Sequence, residues 1–528
     1  MTSGKVWLVG AGPGDIGLFT LKGEAVLQQA DVVVYDSLVG EGVLARIPEH
    51  ARLINVGKRA SHHTMVQEDI NKVLLEEAQK GNKVVRLKGG DPFLFGRGGE
   101  ELVKIAVSLH IRLKGGDPFL FGRGGEELEL LSENGIPYEI VPGVTSPISV
   151  PAYNGIPVTH RDFCSSLHII TGHKRAGQEY DIDFKALTQT KGTLVFLMGI
   201  AALEDICSGL LAGGMNPDMP AAVLQKGTTA GQKRVVATVG TLKAEVDRQG
   251  IETPAIIVVG KVCSLADKFA WYEKLPLAGW KVLVTRPRQH ISKTADLLRK
   301  RGAEVLELPS ICTVPVEDNS RLYETFEKIQ TYQWIIFTSP AGVEIFFDEM
   351  DKKEVDVRSI GQAKIAVIGE GTKKKLKEHH LMADFVPSVY DGDTLGAELA
   401  KELQGNENIL IPRAEAGNKK LTSLLEETGA KVDDIATYTT RYEKSRLIDE
   451  KKEFETGSVD CVVFTSASTV KGFVEGTPGL DYTKVKAACI GKQTKAAADA
   501  YGMQTRMAEK ATIESLIELV EQMKLEIC

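Results

Sequence analysis

Short apolar runs, each stopped by a glycine or a polar turn and followed by an amphipathic stretch of helical period, alternate along the whole chain. No other feature narrows the fold as far. A run without polar alternation is buried on both faces, and buried parallel strands need helical crossovers to connect them. The runs in the first half are Val6–Val9, Val32–Tyr35, Leu53–Val56, Val84–Leu87, Tyr138–Val141, His168–Thr171, Leu194–Met198 and Ile256–Val259. The second half adds Val282–Thr285, Trp334–Thr338, Ile365–Ile368, Asn408–Pro412, Val459–Thr465 and Ala487–Ile490. The predicted class is α/β with parallel sheets. At ~150 residues per domain, 528 residues exceed a single domain. The best boundary lies in Ser264–Gly279, before a fresh start at Trp280, so the expected division is 1–265, a linker 266–278, and 279–528.

Charge limits the partners. With 64 basic and 71 acidic residues the net charge is −7, which disfavours nucleic acid and anionic membrane surfaces, so any anionic ligand needs a local basic pocket. No apolar run approaches the ~18 residues of a membrane span. Seven cysteines lie scattered without a C-x-x-C pair, which fits a reducing compartment, the cytoplasm, and offers no zinc or disulfide framework. They read as small core residues.

The first apolar run ends in Gly10-Ala-Gly-Pro-Gly-Asp15. As a dinucleotide fingerprint it fails: Asp15 stands where the third glycine belongs, Pro13 lacks an N–H, and a carboxylate repels a pyrophosphate. A cationic ligand without phosphates suits it better, and a plain strand-to-helix turn is the competing reading. Lys88-Gly-Gly-Asp-Pro-Phe-Leu-Phe-Gly-Arg-Gly-Gly-Glu-Glu101 again follows a strand, where open α/β sheets bind ligands. The segment Arg86–Leu102 recurs letter for letter as Arg112–Leu128, 26 residues on. One identical tandem copy is no solenoid, so one copy should be redundant. Copy two keeps the downstream helix and the strand leading to Thr145, which favours it as the working loop; the spare copy is expected as an inserted, partly exposed βα piece. Val141-Pro-Gly-Val-Thr-Ser146, Pro157-Val-Thr-His-Arg161, Leu197-Met-Gly199 and Lys226-Gly-Thr-Thr229 complete the set. Each alone is as readily structural, Met198 as core above all.

In order and spacing, these pieces resemble the tetrapyrrole methylase family, and within it the uroporphyrinogen-III C-methyltransferases, across the whole first half. Val33-Val-Tyr-Asp36-Ser-Leu-Val and Val56-Gly-Lys58-Arg59 belong to the same resemblance. It implies a two-lobed α/β domain that takes S-adenosylmethionine, needs no metal, and assembles as a homodimer through this half. It further implies a methyl-donor site lined by Pro13, by Gly89, Gly90, Asp91 and Leu94 or their twins Gly115, Gly116, Asp117 and Leu120, and by Thr145, Ser146, Met198 and Gly227. Asp36 and Lys58 match a proton acceptor and donor; a strand-end cap and a solvated charge are the alternatives. Methylating an electron-rich pyrrole carbon calls for a positioned acid/base pair. A polycarboxylate substrate gives Lys58, Arg59, Arg97 or Arg123, His160 and Arg161 an electrostatic purpose.

From Gly279 onward the chain is similar to the uroporphyrinogen-III synthase family, two α/β lobes joined by a two-stranded linker. The pieces include Phe337-Thr-Ser339, Ile368-Gly-Glu-Gly-Thr372, Ile411-Pro-Arg413, Tyr438-Thr-Thr440, Phe464-Thr-Ser466 and Ile490-Gly-Lys-Gln-Thr494, several of which echo one another as two lobes would. The resemblance implies that Tyr438 assists loss of the substrate's hydroxyl. Ser339, Thr465, Ser466 and Thr494 can hydrogen-bond substrate carboxylates, or simply form turns at strand ends. Together the halves imply a bifunctional enzyme that closes hydroxymethylbilane to uroporphyrinogen III and methylates it to precorrin-2, on the way to sirohaem or cobalamin. The alternative is a methylase for a later corrinoid with a second half that only binds ligand.

Overall fold

The computed structural model describes residues 5–35, 39–55, 84–88, 111–115, 117, 119–120, 132, 137–172, 182–285, 293–308, 311–415, 417, 419–442 and 448–526. β1 (Val6–Gly12), β2 (Val32–Tyr35), β3 (Arg52–Asn55), β4 (Val84–Lys88), β5 (Ile111–Gly115) and β6 (Tyr138–Val141) make a parallel sheet ordered β3-β2-β4-β5-β1-β6. The strands of both repeat copies lie in it, in register, Arg86 opposite Arg112 and Leu87 opposite Leu113. The first copy's strand is inserted within the sheet: β4 pairs with β2 on one side and β5 on the other, and the remainder of that copy lies outside the described residues. A strand of the same sequence and register as its neighbour offers the same backbone ladder on both edges, so inserting it leaves no new edge unpaired. Val9, Leu27, Val33 and Val141 form the core beside this sheet.

β7 (Leu167–Thr171), β8 (Thr193–Leu197), β9 (Pro220–Gln225), β10 (Lys233–Thr238) and β11 (Ala255–Val259) form a second sheet ordered β10-β9-β11-β8-β7. Only β7 and β8 run parallel; β9 pairs antiparallel with both β10 and β11. The expected all-parallel arrangement therefore fails for this second sheet. The strand β10 alternates along Lys233–Thr238, with Val235 buried and Val236 exposed, as an edge strand with one wet face does. Downstream, the segment expected as a linker is short helical turns with Ala266, Tyr272 and Leu277 buried.

β12 (Lys281–Thr285) and β13 (Glu304–Glu307) begin a third sheet. The chain then leaves to build β14 (Ile311–Pro315), β15 (Trp334–Phe337), β16 (Lys364–Val367), β17 (Asn408–Ala414) and β18 (Lys431–Tyr442), ordered β14-β18-β17-β15-β16, with β14 antiparallel to β18 and the other pairs parallel. It returns with β19 (Cys461–Phe464), β20 (Lys486–Cys489) and β21 (Gln504–Met507), completing a parallel sheet ordered β13-β12-β19-β20-β21. Two compact units result: Met1–Arg286 with Ile291–Leu308 and Ser445–Cys528, and Pro287–His290 with Pro309–Lys444. Cys207, Cys263, Cys461 and Cys489 are buried and unpaired, as small core residues, and burial pushes the Cys207 thiol up to about 11.

Candidate functional site

In the first half the glycine turn after β1 is clamped from two sides. A Cβ at Gly14 would lie 2.8 Å from Thr229 Cγ2, and one at Gly40 would lie 2.6 Å from the Gly14 carbonyl oxygen. Only bare backbone fits between these neighbours. Asp15 Oδ1 accepts from Gly17 N–H at 2.8 Å and caps the short turn Ile16–Leu18, while Asp15 N–H donates to Thr228 Oγ1 at 3.3 Å. Three non-glycine residues in this half's predicted ligand loops hold positive φ: Met198 at 61°, Lys226 at 44° and Thr228 at 72°. Such strain persists where surrounding structure over-determines the backbone, and it clusters at ligand sites.

The second repeat copy sits at the same strand ends. β5 pairs directly with β1, Gly12 opposite Gly115. Asp117 Oδ1 accepts from Phe119 N–H (2.8 Å) and Leu120 N–H (3.2 Å), and Oδ2 from Gly143 N–H (3.1 Å). The carboxylate therefore ties the copy-two loop to the Pro-Gly-Val-Thr-Ser segment. Thr145 precedes the helix Ser146–Tyr153, and its side chain makes no cap bond there. Val150 of that helix seats against Gly227, where a Cβ would approach to 2.3 Å, and Met198 packs on the same apolar cluster. Pro13, Asp117, Leu120, Thr145, Ser146, Met198 and Gly227 thus lie on loops joined to one another by these contacts. Asp36, Lys58, Arg59, Gly89, Gly90, Asp91, Leu94 and Gly116 lie outside the described residues, as do Arg97 and Arg123. His160 Nδ1 accepts from Asp162 N–H at 3.1 Å and the ring meets Phe163 edge-on, whereas Arg161 is exposed. Among the described residues, no hydrogen bond joins either one to the glycine turn.

The echoing segments of the second half have the same local geometry. Ser339 (φ −162°) follows β15 and caps Pro340–Lys352, and Ser466 (φ −162°) follows β19 and caps Ala467–Gly476 through a capping box with Thr469. The turn-forming role is therefore real for both serines. Ser339 has a second role, since its Oγ lies 2.6 Å from the Tyr438 hydroxyl. Tyr438 is buried, and burial pushes its phenol upward while the Ser339 bond pulls the other way, so it stays a proton donor at neutral pH. In the other unit Thr465 is half-buried beside Ser466, and Thr494 is buried within the helix Lys492–Asp499.

Sequence reasoning passed over Tyr153, Gln232 and Arg234, which bond across long separations in the chain and so leave no periodic signal. It also passed over Asp434, whose carboxylate grips the buried Arg413 guanidinium next to β17's bulge. Among the described residues no three His, Cys, Asp or Glu side chains group as metal ligands do, and no helix is long and apolar enough to cross a membrane.

Residues 5–111 and 108–243 match the family described as Tetrapyrrole (Corrin/Porphyrin) Methylases, in two pieces that meet between the repeat copies. Residues 292–518 match Uroporphyrinogen-III synthase HemD. The porphyrin biosynthesis protein HemD of Ruminiclostridium josui is 45% identical over 518 residues, covering 98% of each chain. The uroporphyrinogen-III C-methyltransferase of Bacillus subtilis (strain 168) is 38% identical over 379 residues, 72% of each chain. Siroheme synthase 2 of Klebsiella pneumoniae is 46% identical over 269 residues, 51% of this chain and 52% of that protein. The chain belongs to the tetrapyrrole methylases through its first half and to the uroporphyrinogen-III synthases through its second, a fusion of the two families.

Proposed function

We propose that this chain performs two consecutive steps of tetrapyrrole biosynthesis: closure of hydroxymethylbilane to uroporphyrinogen III by the second half, and methylation of that product to precorrin-2 by the first. The observation that carries the reading is the joining of four ligand loops, Gly10–Asp15, Asp117–Leu120, Gly143–Ser146 and Lys226–Thr229, in one half. S-adenosylmethionine supplies a methyl group on a sulfonium centre and carries no phosphate, which suits a turn that sets a carboxylate beside bare glycine backbone. Gly14 and Gly40 let Thr229 and the Gly14 carbonyl close in on the turn, Asp117 keeps the copy-two loop against Gly143, and Val150 packs against Gly227.

Asp36 is assigned as acceptor of the proton that the macrocycle loses once its pyrrole carbon has taken the methyl group, and Lys58 as proton donor, with Arg59, His160 and Arg161 as partners for the substrate's carboxylates. In the second half the neutral Tyr438 phenol, desolvated and held by Ser339, is the donor to the departing hydroxyl of the linear substrate. Ser339, Thr465, Ser466 and Thr494 are its proposed carboxylate contacts. The setting is the cytoplasm and the assembly a homodimer through the first half, which sedimentation tests. The decisive assay gives the full chain hydroxymethylbilane with S-adenosylmethionine: dimethylated precorrin-2 is expected. Formation of uroporphyrinogen III without methyl transfer removes the first-half assignment, and methylation only of added uroporphyrinogen III removes the second.

A further inference from the structure

Four residues, from two loops and the end of a helix, close a ring of hydrogen bonds at the glycine turn. Asp15 N–H donates to Thr228 Oγ1 (3.3 Å), Thr228 N–H to Gln232 Oε1 (2.9 Å), Gln232 Nε2 to the Tyr153 carbonyl (3.3 Å), and the Tyr153 hydroxyl to Asp15 Oδ2 (2.7 Å). We propose that this ring is a positioning device for the methyl donor, with Tyr153, Thr228 and Gln232 as residues that fix the glycine turn and the Lys226–Thr229 loop against each other. The inference rests on the methyltransferase reading and adds to it residues outside the ligand loops' own motifs.

Each link has a physical reason to matter. Asp15 divides its carboxylate between the Gly17 N–H and the Tyr153 hydroxyl, so the conformation of the turn depends on a side chain from a distant helix. Thr228 is a β-branched residue at φ 72°, buried, and the Gln232 bond satisfies the N–H that this backbone turns inward. Burial, and after it the Asp15 carboxylate, raise the Tyr153 phenol far above its ordinary range, so it remains a donor at any working pH. Tyr153 ends the helix that Thr145 and Ser146 begin, and Val150 of the same helix seats Gly227. A shift of that helix therefore moves three ligand loops together.

The linker braces the same point. Trp271 and Tyr272 meet the Tyr153 ring at centroid distances of 5.2 and 5.1 Å, and Trp271 Nε1 donates to the Ala152 carbonyl at 2.9 Å. Arg234 fastens the Asn154 carbonyl at 2.7 Å while reaching Asp267 and Glu273 of the linker. These contacts hold the phenol in the one orientation from which it reaches Asp15.

The test uses the full chain, with S-adenosylhomocysteine binding by calorimetry, methyl-transfer kinetics, the synthase rate and the thermal midpoint measured together. Tyr153→Phe deletes one hydroxyl. It is expected to weaken S-adenosylhomocysteine binding and raise KM for the methyl donor by about tenfold, the scale of a hydrogen bond to a charged group. The methyl-transfer kcat should stay within about threefold, the synthase rate should be unchanged, and the thermal midpoint should fall only slightly, as for one lost hydrogen bond. Thr228→Val should reproduce the loss and Thr228→Ser should restore affinity, since only the hydroxyl accepts the Asp15 N–H. Wild-type binding together with unaltered affinity in Tyr153→Phe and Thr228→Val overturns the ring. So does an equal loss in Thr228→Ser and Thr228→Val, which would mark the threonine as packing alone. Absence of binding by the wild-type chain overturns the methyltransferase reading, and the ring with it.

Discussion

Asp117 takes three backbone N–H groups, two from its own turn and one from Gly143, and a carboxylate with that many donors is expensive to remove. Asp117→Ala is therefore expected to abolish detectable S-adenosylmethionine binding while its repeat twin, Asp91→Ala, leaves binding intact; isothermal titration of both variants checks this, and the reverse pattern moves the site to copy one. Tyr438→Phe loses only a hydroxyl, so the second half should still fold but form uroporphyrinogen III about 10²-fold more slowly, in the range of general acid–base help. An unchanged rate would leave the Ser339 contact a structural one. Glu139 gives a pH signature. Hydrogen bonding to Lys22 first, then to Lys5, lowers its carboxyl from an ordinary 4.5 to about 2. A depressed folded value means that the contribution is complete above about 4.5 and is lost as pH falls toward 2. Glu139→Gln should thus be less stable than wild type at neutral pH, with the two unfolding midpoints converging as the solution is acidified.

At the scale of elements, the duplication is the informative case. Removing residues 86–111 or residues 103–128 produces the identical chain, because the copies match letter for letter. A deletion therefore cannot choose between copies, but it does test redundancy. The shortened chain is expected to fold with a five-stranded first sheet in which one strand bridges β2 and β1. Methyl transfer should persist, measured against the full chain. A deletion variant that fails to fold would make β4 a necessary strand. Helix caps in the second half behave more simply: Ser466→Ala removes the hydroxyl that accepts the Thr469 N–H and leaves the Ser466 N–H donating to Thr469 Oγ1, and about 1 kcal/mol of stability should go with it in chemical denaturation.

At the scale of the molecule, one buried cation joins elements of both halves within a single compact unit. Lys281 of β12, 7% exposed, bonds Glu41 from the first half and Glu453 (2.9 Å), with Glu304 at 3.8 Å. Burial works against its charge, and the surrounding carboxylates, Glu41 foremost, outweigh it and hold the ammonium protonated. Glu304 also accepts from the Ala230 N–H at 2.7 Å, beside the Lys226–Thr229 loop. Lys281→Met would leave these carboxylates facing one another without a counter-ion. A loss of about 3 kcal/mol in unfolding free energy is expected, because stranding one side of a buried ion pair costs more than the pair itself contributes. A midpoint that does not move would mean that water already screens the cluster.

Strand positions were legible in part: each apolar run named above coincides with a strand in the described residues, although β3 and β7 are only partly buried, whereas β9, β10, β13, β14, β18 and β21 had no such run. The order of the glycine, hydroxyl and Met-Gly segments also pointed to both families without any tertiary information. The hydroxyls after β15 and β19 could be read as binding or as turn-forming from sequence, and they cap helices in the structure, with Ser339 also meeting Tyr438. Three things were decided only by folding. The antiparallel strands β9 and β10 came from pairing between neighbours that apolar runs do not encode. The interior place of β4 followed from its having the same ladder as β5. The ring through Asp15, Thr228, Gln232 and Tyr153 needed partners up to 213 positions apart. Local sequence determines what a segment must bury, which is a property of its own side chains. Which segments meet is set by hydrogen bonds and contacts between distant parts of the chain, and these exist only once the sheets have closed.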